Sequence, residues 1–259
     1  MLYVVATPIG NLEDISKHAI SVLRSVDFIL CEDTRRTGFL LSELQIPAPQ
    51  LISCHAHNEQ GRIQRAMEEL AKGKHAALLS DAGTPAISDP GMFVVQAAHQ
   101  AHIPVIPISG PSAVSVAISA SGFVTPPYHF LGFPPRKHQK RRDWIVQLSQ
   151  LDGVVVLFEA GNRFGDLIAD LRELLPDREA CLCRELTKTY QEILRQPILD
   201  FTPENVLGEV TLVIGPGSAV MLEKERQAGI KGLAQSLADE WQISKREAYN
   251  LLMQIKPRD

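Results

Sequence analysis

Long apolar runs are missing from this chain: none of its 259 residues lies in a stretch near the length needed to cross a bilayer, which takes about 20 consecutive apolar residues. No membrane-spanning helix is expected. The chain enters an apolar stretch at residues 2–6 with no charged leader or small-residue cleavage site ahead of it, so no export signal is expected and the setting reads as cytoplasmic. Cysteine is scarce. Cys31, Cys54, Cys181 and Cys183 all sit in apolar, strand-like runs and read as reduced core residues rather than disulfides or metal ligands. Cys181 and Cys183 also have the wrong spacing for a C-x-x-C redox pair. Two nucleotide signatures are absent. Without G-x-G-x-x-G a Rossmann dinucleotide site is unsupported, and without G-x-x-x-x-G-K-[ST] a P-loop hydrolase is disfavoured. There is no internal repeat and no low-complexity tract. Excess positive charge is lacking as well: 26 Lys and Arg against 30 Asp and Glu leave a formal net charge of −4. Any nucleic-acid binding must therefore rest on local patches.

What the chain does have is a polar cluster after each apolar run of its first hundred residues. Residues 75–79 lead into Ser80-Asp81-Ala82-Gly83-Thr84-Pro85-Ala86-Ile87-Ser88-Asp89-Pro90-Gly91. Glycines there permit close backbone approach and prolines stiffen the loop. Open α/β sheets bind ligands at such strand ends, although a turn with Asp caps is the plainer alternative. Residues 2–6 run into the tight turn Thr7-Pro8-Ile9-Gly10-Asn11, after which Asp14 or Ser16 can start a helix carrying Ile15, Ala19, Ile20 and Leu23. Residues 26–31 end in Glu32-Asp33-Thr34-Arg35-Arg36-Thr37, where Asp33 or Thr34 can also serve simply as the cap of a helix over 37–44. In residues 51–59, alternation places His55 and His57 on one face of a strand end. Together with Cys54, Glu59, Asp33 and Asp81 those histidines leave open a metal-dependent phosphoesterase.

Alternating strand and helix patterns over 1–110 indicate a doubly wound parallel α/β layer, closing with the strand at 105–108. Gly110-Pro111-Ser112 leads into a small-residue helix over 113–120, and the Pro-rich stretch near 122–135 marks a change of unit. Strand-like runs at 128–132, 154–158, 180–185 and 209–214, with helices between the first three, make 111–217 a second α/β domain with a mixed sheet. Residues 218–259 read as a helical extension.

Several of these segments together resemble one known group. Thr7 to Ile15, Glu32 to Gly38, His55 to Glu59, Ser80 to Gly91 and Gly110-Pro111-Ser112-Ala113 carry the resemblance. It continues through Arg141-Arg142-Asp143, Arg184-Glu185-Leu186-Thr187-Lys188 and Ser244 to Tyr249. The chain resembles the tetrapyrrole (corrin/porphyrin) methylase superfamily, and within it the branch that methylates small-subunit ribosomal RNA. That resemblance implies two α/β domains with S-adenosylmethionine in the cleft between them, and a homodimer. It also implies 2′-O-methylation of a cytidine in the decoding region of 16S ribosomal RNA within the small ribosomal subunit. Carried over by position, the cofactor contacts would be Pro8, Ile9, Gly10, Asp81, Ala82, Gly83, Thr84, Ser112, Ala113 and Phe158. The family's aromatic and Ser around Glu159 are here Leu157-Phe158-Glu159-Ala160, which leaves position 160 without a polar contact. No metal is implied.

A ribose hydroxyl is a poor nucleophile at neutral pH and needs a base or an electrostatic aid. Glu32, Asp33 and Arg35 lead the catalytic candidates, followed by Lys188; Asp89 and Glu185 are further carboxylates of the right kind. For RNA, the densest basic run is Arg136, Lys137, Lys140, Arg141 and Arg142, with Lys245 and Arg246 beside Tyr249 as a second patch. A solvated helix start, and a terminal helix packing through Tyr249 and Leu252, are the structural alternatives. A non-catalytic RNA-binding assembly factor stays open as well.

Overall fold

The computed structural model describes residues 1–54, 59–123, 127–217, 232–235, 237–238, 241 and 243–254. The first sheet contains β1 (Leu2–Val5), β2 (Phe28–Cys31), β3 (Gln50–Ser53), β4 (Ala76–Leu79) and β5 (Val105–Ile108) in the spatial order β3-β2-β4-β1-β5. Every pairing is parallel, so all five strands end at the same edge. The helices between them are α1 (Lys17–Ser25), α2 (Thr34–Glu43), α3 (Glu59–Ala71) and α4 (Met92–Gln100).

Two-residue periodicity explains how the sheet is covered on both faces. Val5, Ile29, Cys31, Ala77 and Leu79 pack with Ala19, Leu23 and Leu41 of α1 and α2. Leu2, Phe28, Leu30, Ala76 and Leu78 pack on the other face with Ala66, Leu70, Val94 and Ala98 of α3 and α4. The doubly wound parallel layer expected from the sequence is therefore present. Ser16 caps α1 by accepting from the Ala19 amide, while Asp14 ends a short 3-10 turn, Leu12–Asp14. Helix α2 begins three residues before the expected Thr37, because the Asp33 carboxylate accepts the Arg35 amide and opens the helix there.

The chain then leaves the first sheet. Helix α5 (Ala113–Ser121) packs Val114 and Ala117 on a second sheet, against Val154, Val156, Cys181, Cys183 and Val213. That sheet contains β6 (Tyr128–Phe130), β7 (Val154–Ala160), β8 (Glu179–Arg184), β9 (Glu192–Pro197) and β10 (Glu209–Ile214) in the order β6-β7-β10-β8-β9. It is mixed: β6 is parallel to β7 and the remaining pairs are antiparallel. Strand β9 is an exposed edge with no buried-face alternation, which is why its sequence does not announce it. Helices α6 (His138–Ser149) and α7 (Gly161–Leu174) cover the opposite face through Ile145, Leu148, Leu167, Ile168 and Leu171. All four cysteines are buried. Near the carboxy terminus, helix Lys245–Gln254 packs Ala248, Tyr249 and Leu252 against Ala234, Leu237 and Ala238, so Tyr249 serves a small apolar cluster.

Helices α6 and α7 are joined by a buried charge. Asp170, 2% exposed, accepts from Arg141 Nε at 2.7 Å and Arg142 Nη1 at 3.2 Å, with His138 Nε2 at 3.1 Å. Replacing Asp170 by Ala would leave the buried Arg141 guanidinium with only the exposed Asp166 carboxylate, 3.9 Å away, as counter-charge, at a cost of about 3–5 kcal/mol. Urea unfolding of Asp170→Ala should show a midpoint far below that of the parent; an unchanged midpoint would mean that Arg141 finds another partner.

Candidate functional site

The shared strand edge of the first sheet gathers the polar segments. Turn 7–10 follows β1, Glu32 and Asp33 follow β2, and the 80–91 loop follows β4. Strands β1 and β4 are neighbours, and their exits are tied together: Thr7 and Gly83 exchange backbone hydrogen bonds of 2.9 and 3.1 Å. Thr7 Oγ1 also donates to the Ser80 carbonyl at 3.3 Å. Gly83 has φ of +78°, a left-handed conformation that Gly adopts without steric cost.

Against this edge lie the ends of β7, β8 and β10, and between them is a cavity of about 370 Å³. Ile9, Asp81, Ala82, Gly83 and Thr84 line one side, Ser112 and Ala113 the head of α5, and Phe158, Cys183, Leu186 and Thr211 the far wall. Ser112 stands at the N-cap of α5 with its side chain making no capping bond. Phe158 is fixed edge-on between Phe130 and Phe133, with ring centroids 4.8 and 5.6 Å away. Below it, Glu159 is buried and its carboxyl is pushed up by desolvation, although it accepts from the Ala160 amide and from Arg163.

A second, larger cavity of about 680 Å³ adjoins the first and shares Ile9, Arg36, Asp81, Ala82 and Glu209 with it. Pro8, Gly10, Asp33, Arg35 and Lys188 line this one. The sequence-derived cofactor residues are thus divided: Pro8 and Gly10 line the larger cavity alone, Ile9, Asp81 and Ala82 line both, and Gly83, Thr84, Ser112, Ala113 and Phe158 line the smaller alone. Gly10 lies beneath the 186–188 loop, where a Cβ would come within 2.7 Å of Thr187 Oγ1 and 2.9 Å of the Leu186 carbonyl. That loop is held by Lys188 Nζ, which reaches Glu185 at 2.9 Å and Glu209 at 2.8 Å, and by the Asn11 amide donating to Thr187 Oγ1 at 3.1 Å. Burial pulls the Lys188 ammonium downward, but Glu209 and Glu185 outweigh it and hold Lys188 charged.

The acidic residues fall into two kinds. Asp33 accepts from the Arg35 backbone at 2.8 Å and from its guanidinium at 3.1 and 2.7 Å. Arg35 holds the Asp33 carboxyl far below the usual carboxylate range, so Asp33 is a weak base. Asp81 accepts from the Asp33 amide at 3.2 Å and pairs with Arg36 at 3.4 Å. Asp89, half-buried in the smaller cavity, behaves in the opposite way. Desolvation, then the charge of Glu32, raise its pKa to about 6, with smaller contributions from Asp81 and Glu209 and an opposing hydrogen bond from Ser80. A carboxylate that binds its proton near neutrality beside a cavity is suited to accept one from a substrate.

The basic run is also split. Arg136, Lys137 and Lys140 are exposed, whereas Arg141 is 4% exposed and Arg142 is spent on Asp170 and Glu173. Arg141 is therefore not available to a partner, because its guanidinium neutralises the buried Asp170. Lys245 and Arg246 are exposed. His55 and His57 lie outside the described residues, and among the described residues no group of three His, Cys, Asp or Glu is placed to hold a metal.

Residues 1–201 match the family Tetrapyrrole (Corrin/Porphyrin) Methylases. A Synechocystis protein named Ribosomal RNA small subunit methyltransferase I is 39% identical over 275 aligned positions, covering 99% of this chain and 98% of the relative. The Thermotoga maritima protein of the same name is 42% identical over 217, covering 82% and 97%. In three dimensions the chain is similar to uroporphyrin-III-C-methyltransferase from Thermus thermophilus, with TM-score 0.58, 18% identity and coverage of 86% and 97%. It is also similar to the methyltransferase CobJ, with TM-score 0.60, 17% identity and coverage of 84% and 94%. A second structure of the Thermus enzyme, complexed with S-adenosyl homocysteine, gives TM-score 0.58 at 13% identity, with coverage of 83% and 96%.

The raised pKa of Asp89 has a consequence for stability. Its neutral form is favoured in the fold, so its contribution is complete below the unfolded value of 3.8 and is lost as pH rises through about 6. Compared with Asp89→Asn, the parent protein should lose stability between about pH 4 and pH 6 and hold a constant difference above that. Urea midpoints across this range measure it; a difference independent of pH would contradict the assigned burial of the charge.

Proposed function

The chain belongs to the tetrapyrrole (corrin/porphyrin) methylase family and groups within it with proteins named Ribosomal RNA small subunit methyltransferase I, and from that premise we propose that it methylates 16S ribosomal RNA. The donor in this reading is S-adenosylmethionine. The acceptor is the ribose 2′-hydroxyl of a cytidine in the decoding region, within the small ribosomal subunit. The observation that carries the reading is the smaller cavity with Asp89 in its wall.

The residues present fit the donor. A volume of about 370 Å³ is within the range of small-molecule sites, and the lining combines small residues, open backbone and an apolar wall. Ala82, Gly83 and Ala113 admit a ligand close to the main chain, Phe158 and Ile9 offer apolar faces, and Asp81, Thr84 and Ser112 supply polar groups. When bound, S-adenosylmethionine supplies an electrophilic methyl group on a sulfonium. The protein's part is to align the acceptor with that methyl and to take up its proton. Asp89 would be the base: its carboxylate would accept the proton that the 2′-hydroxyl gives up on taking the methyl group a bound donor would supply. Glu32, whose charge helps raise Asp89, tunes that base. Asp33 fixes Arg35 in place, and Lys188, paired with two carboxylates, holds the loop over Gly10.

The exposed Arg136, Lys137, Lys140, Lys245 and Arg246 are the cations assigned to RNA phosphates. A homodimer belongs to the same reading, and Met92 and Phe93, exposed on α4, suit a symmetric interface. Among the described residues no helix is long and apolar enough to cross a membrane; a cytoplasmic setting is part of the proposal.

Small subunits from cells lacking this modification, incubated with the protein and labelled S-adenosylmethionine, test the proposal. Nucleoside analysis should find 2′-O-methylcytidine. In the same assay kcat/KM should fall about tenfold per unit as pH drops below about 6. Asp89→Asn should lower the rate about 100-fold or more and remove that limb. Label on another nucleoside, or on a base, would overturn the assigned acceptor.

A further inference from the structure

The larger cavity has a feature that donor binding does not use. Helix α2 carries Arg35, Arg36, Phe39 and Leu40 along its cavity side, since residues four apart share one face, while Thr37 and Leu41 are buried beneath. Phe39 is 66% exposed. Across the opening stands Leu12, also partly exposed. An aromatic ring left in water at the rim of a cavity costs apolar hydration unless something covers it in the working state. The two arginines are equally out of place by local rules: they occupy the first turn of α2, where the helix dipole disfavours cations. Arg35 is 89% exposed at its side chain and pairs with Asp33; Arg36 is 68% exposed and pairs with Asp81.

We propose that this second cavity receives the extruded target nucleotide, with Phe39 stacking on its base and Arg35 and Arg36 holding the flanking phosphates. The proposal rests on the RNA methylation reading above and names the subsite that reading needs. Three observations converge on it. The cavity adjoins the smaller one, with Ile9, Asp81 and Ala82 lining both and Asp89 lining the smaller, so a base lodged there places its ribose toward the cavity that holds Asp89. The volume of about 680 Å³ is ample for a nucleoside. The rim offers one aromatic face and two exposed cations, which is the chemistry that recognises an unstacked nucleotide without reading a duplex.

The test compares Phe39→Ala and Phe39→Trp with the parent protein, using small ribosomal subunits that lack the modification. Because Phe39 is exposed, neither change should disturb folding. Loss of a stacked base should raise the KM for subunits about tenfold in Phe39→Ala, with affinity for labelled S-adenosylmethionine unchanged by equilibrium dialysis. Phe39→Trp should restore the parent KM, and its added fluorescence should be quenched by RNA. A parent-like KM in Phe39→Ala, with the parent protein active, overturns the assignment of the cavity while leaving the methylation reading intact. A parent protein that transfers no methyl group to the subunits contradicts that reading itself and takes this inference with it.

Discussion

The two hydrogen bonds between Thr7 and Gly83 are the constraint from which the site is built. They join the exits of adjacent parallel strands, so the turn after β1 and the long loop after β4 move as one unit. Thr7 is 1% exposed and its hydroxyl is absorbed by the Ser80 carbonyl. With that seam closed, Ile9 and Gly10 face the 186–188 loop of the second half, and Asp81 comes within reach of the Asp33 amide and Arg36. A parallel sheet places every strand exit on one edge. The seam turns two of those exits into a floor shared by both cavities.

On that floor, neighbouring carboxylates have been given opposite characters. Asp33 is saturated by Arg35 and stays ionised, whereas Asp89 sits among Glu32, Asp81 and Glu209 in a half-buried position that favours its proton. Acids whose environments push their pKa values apart divide the work between them, one as a fixed charge and the other as a proton acceptor. The cations follow the same logic. Arg35, Arg36 and Lys188 are each paired with a carboxylate, so the charges facing a substrate come as balanced pairs.

Much of this was legible from residue order. Buried runs at 28–31 and 76–79 gave away their strands because parallel sheets covered on both faces leave no polar alternation. The 80–91 loop stood out through its paired Asp, Gly and Pro. Edge strand β9 did not, since an exposed strand paired on one side needs no apolar face. Burial of Arg141 was invisible for a different reason. Its partner Asp170 is on another helix, and only the packing of α6 against α7 brings the two together. Asp89 was one acid among several in the sequence; its distinction arises from burial in the folded loop and from the charge of Glu32, which follows a different strand. Phe39 carried no signal of its own in the sequence: only the placement of α2, which starts at Thr34 rather than Thr37, shows it exposed on the cavity face.

The most direct test is a crystal structure of the protein with S-adenosylhomocysteine. The adenosyl group should lie in the smaller cavity, between the 82–84 segment, the start of α5 and Phe158, with its sulfur toward Asp89 and the larger cavity left free. Density for the adenosyl group in the larger cavity, against Phe39 and Arg35, would contradict the assignment of both cavities at once.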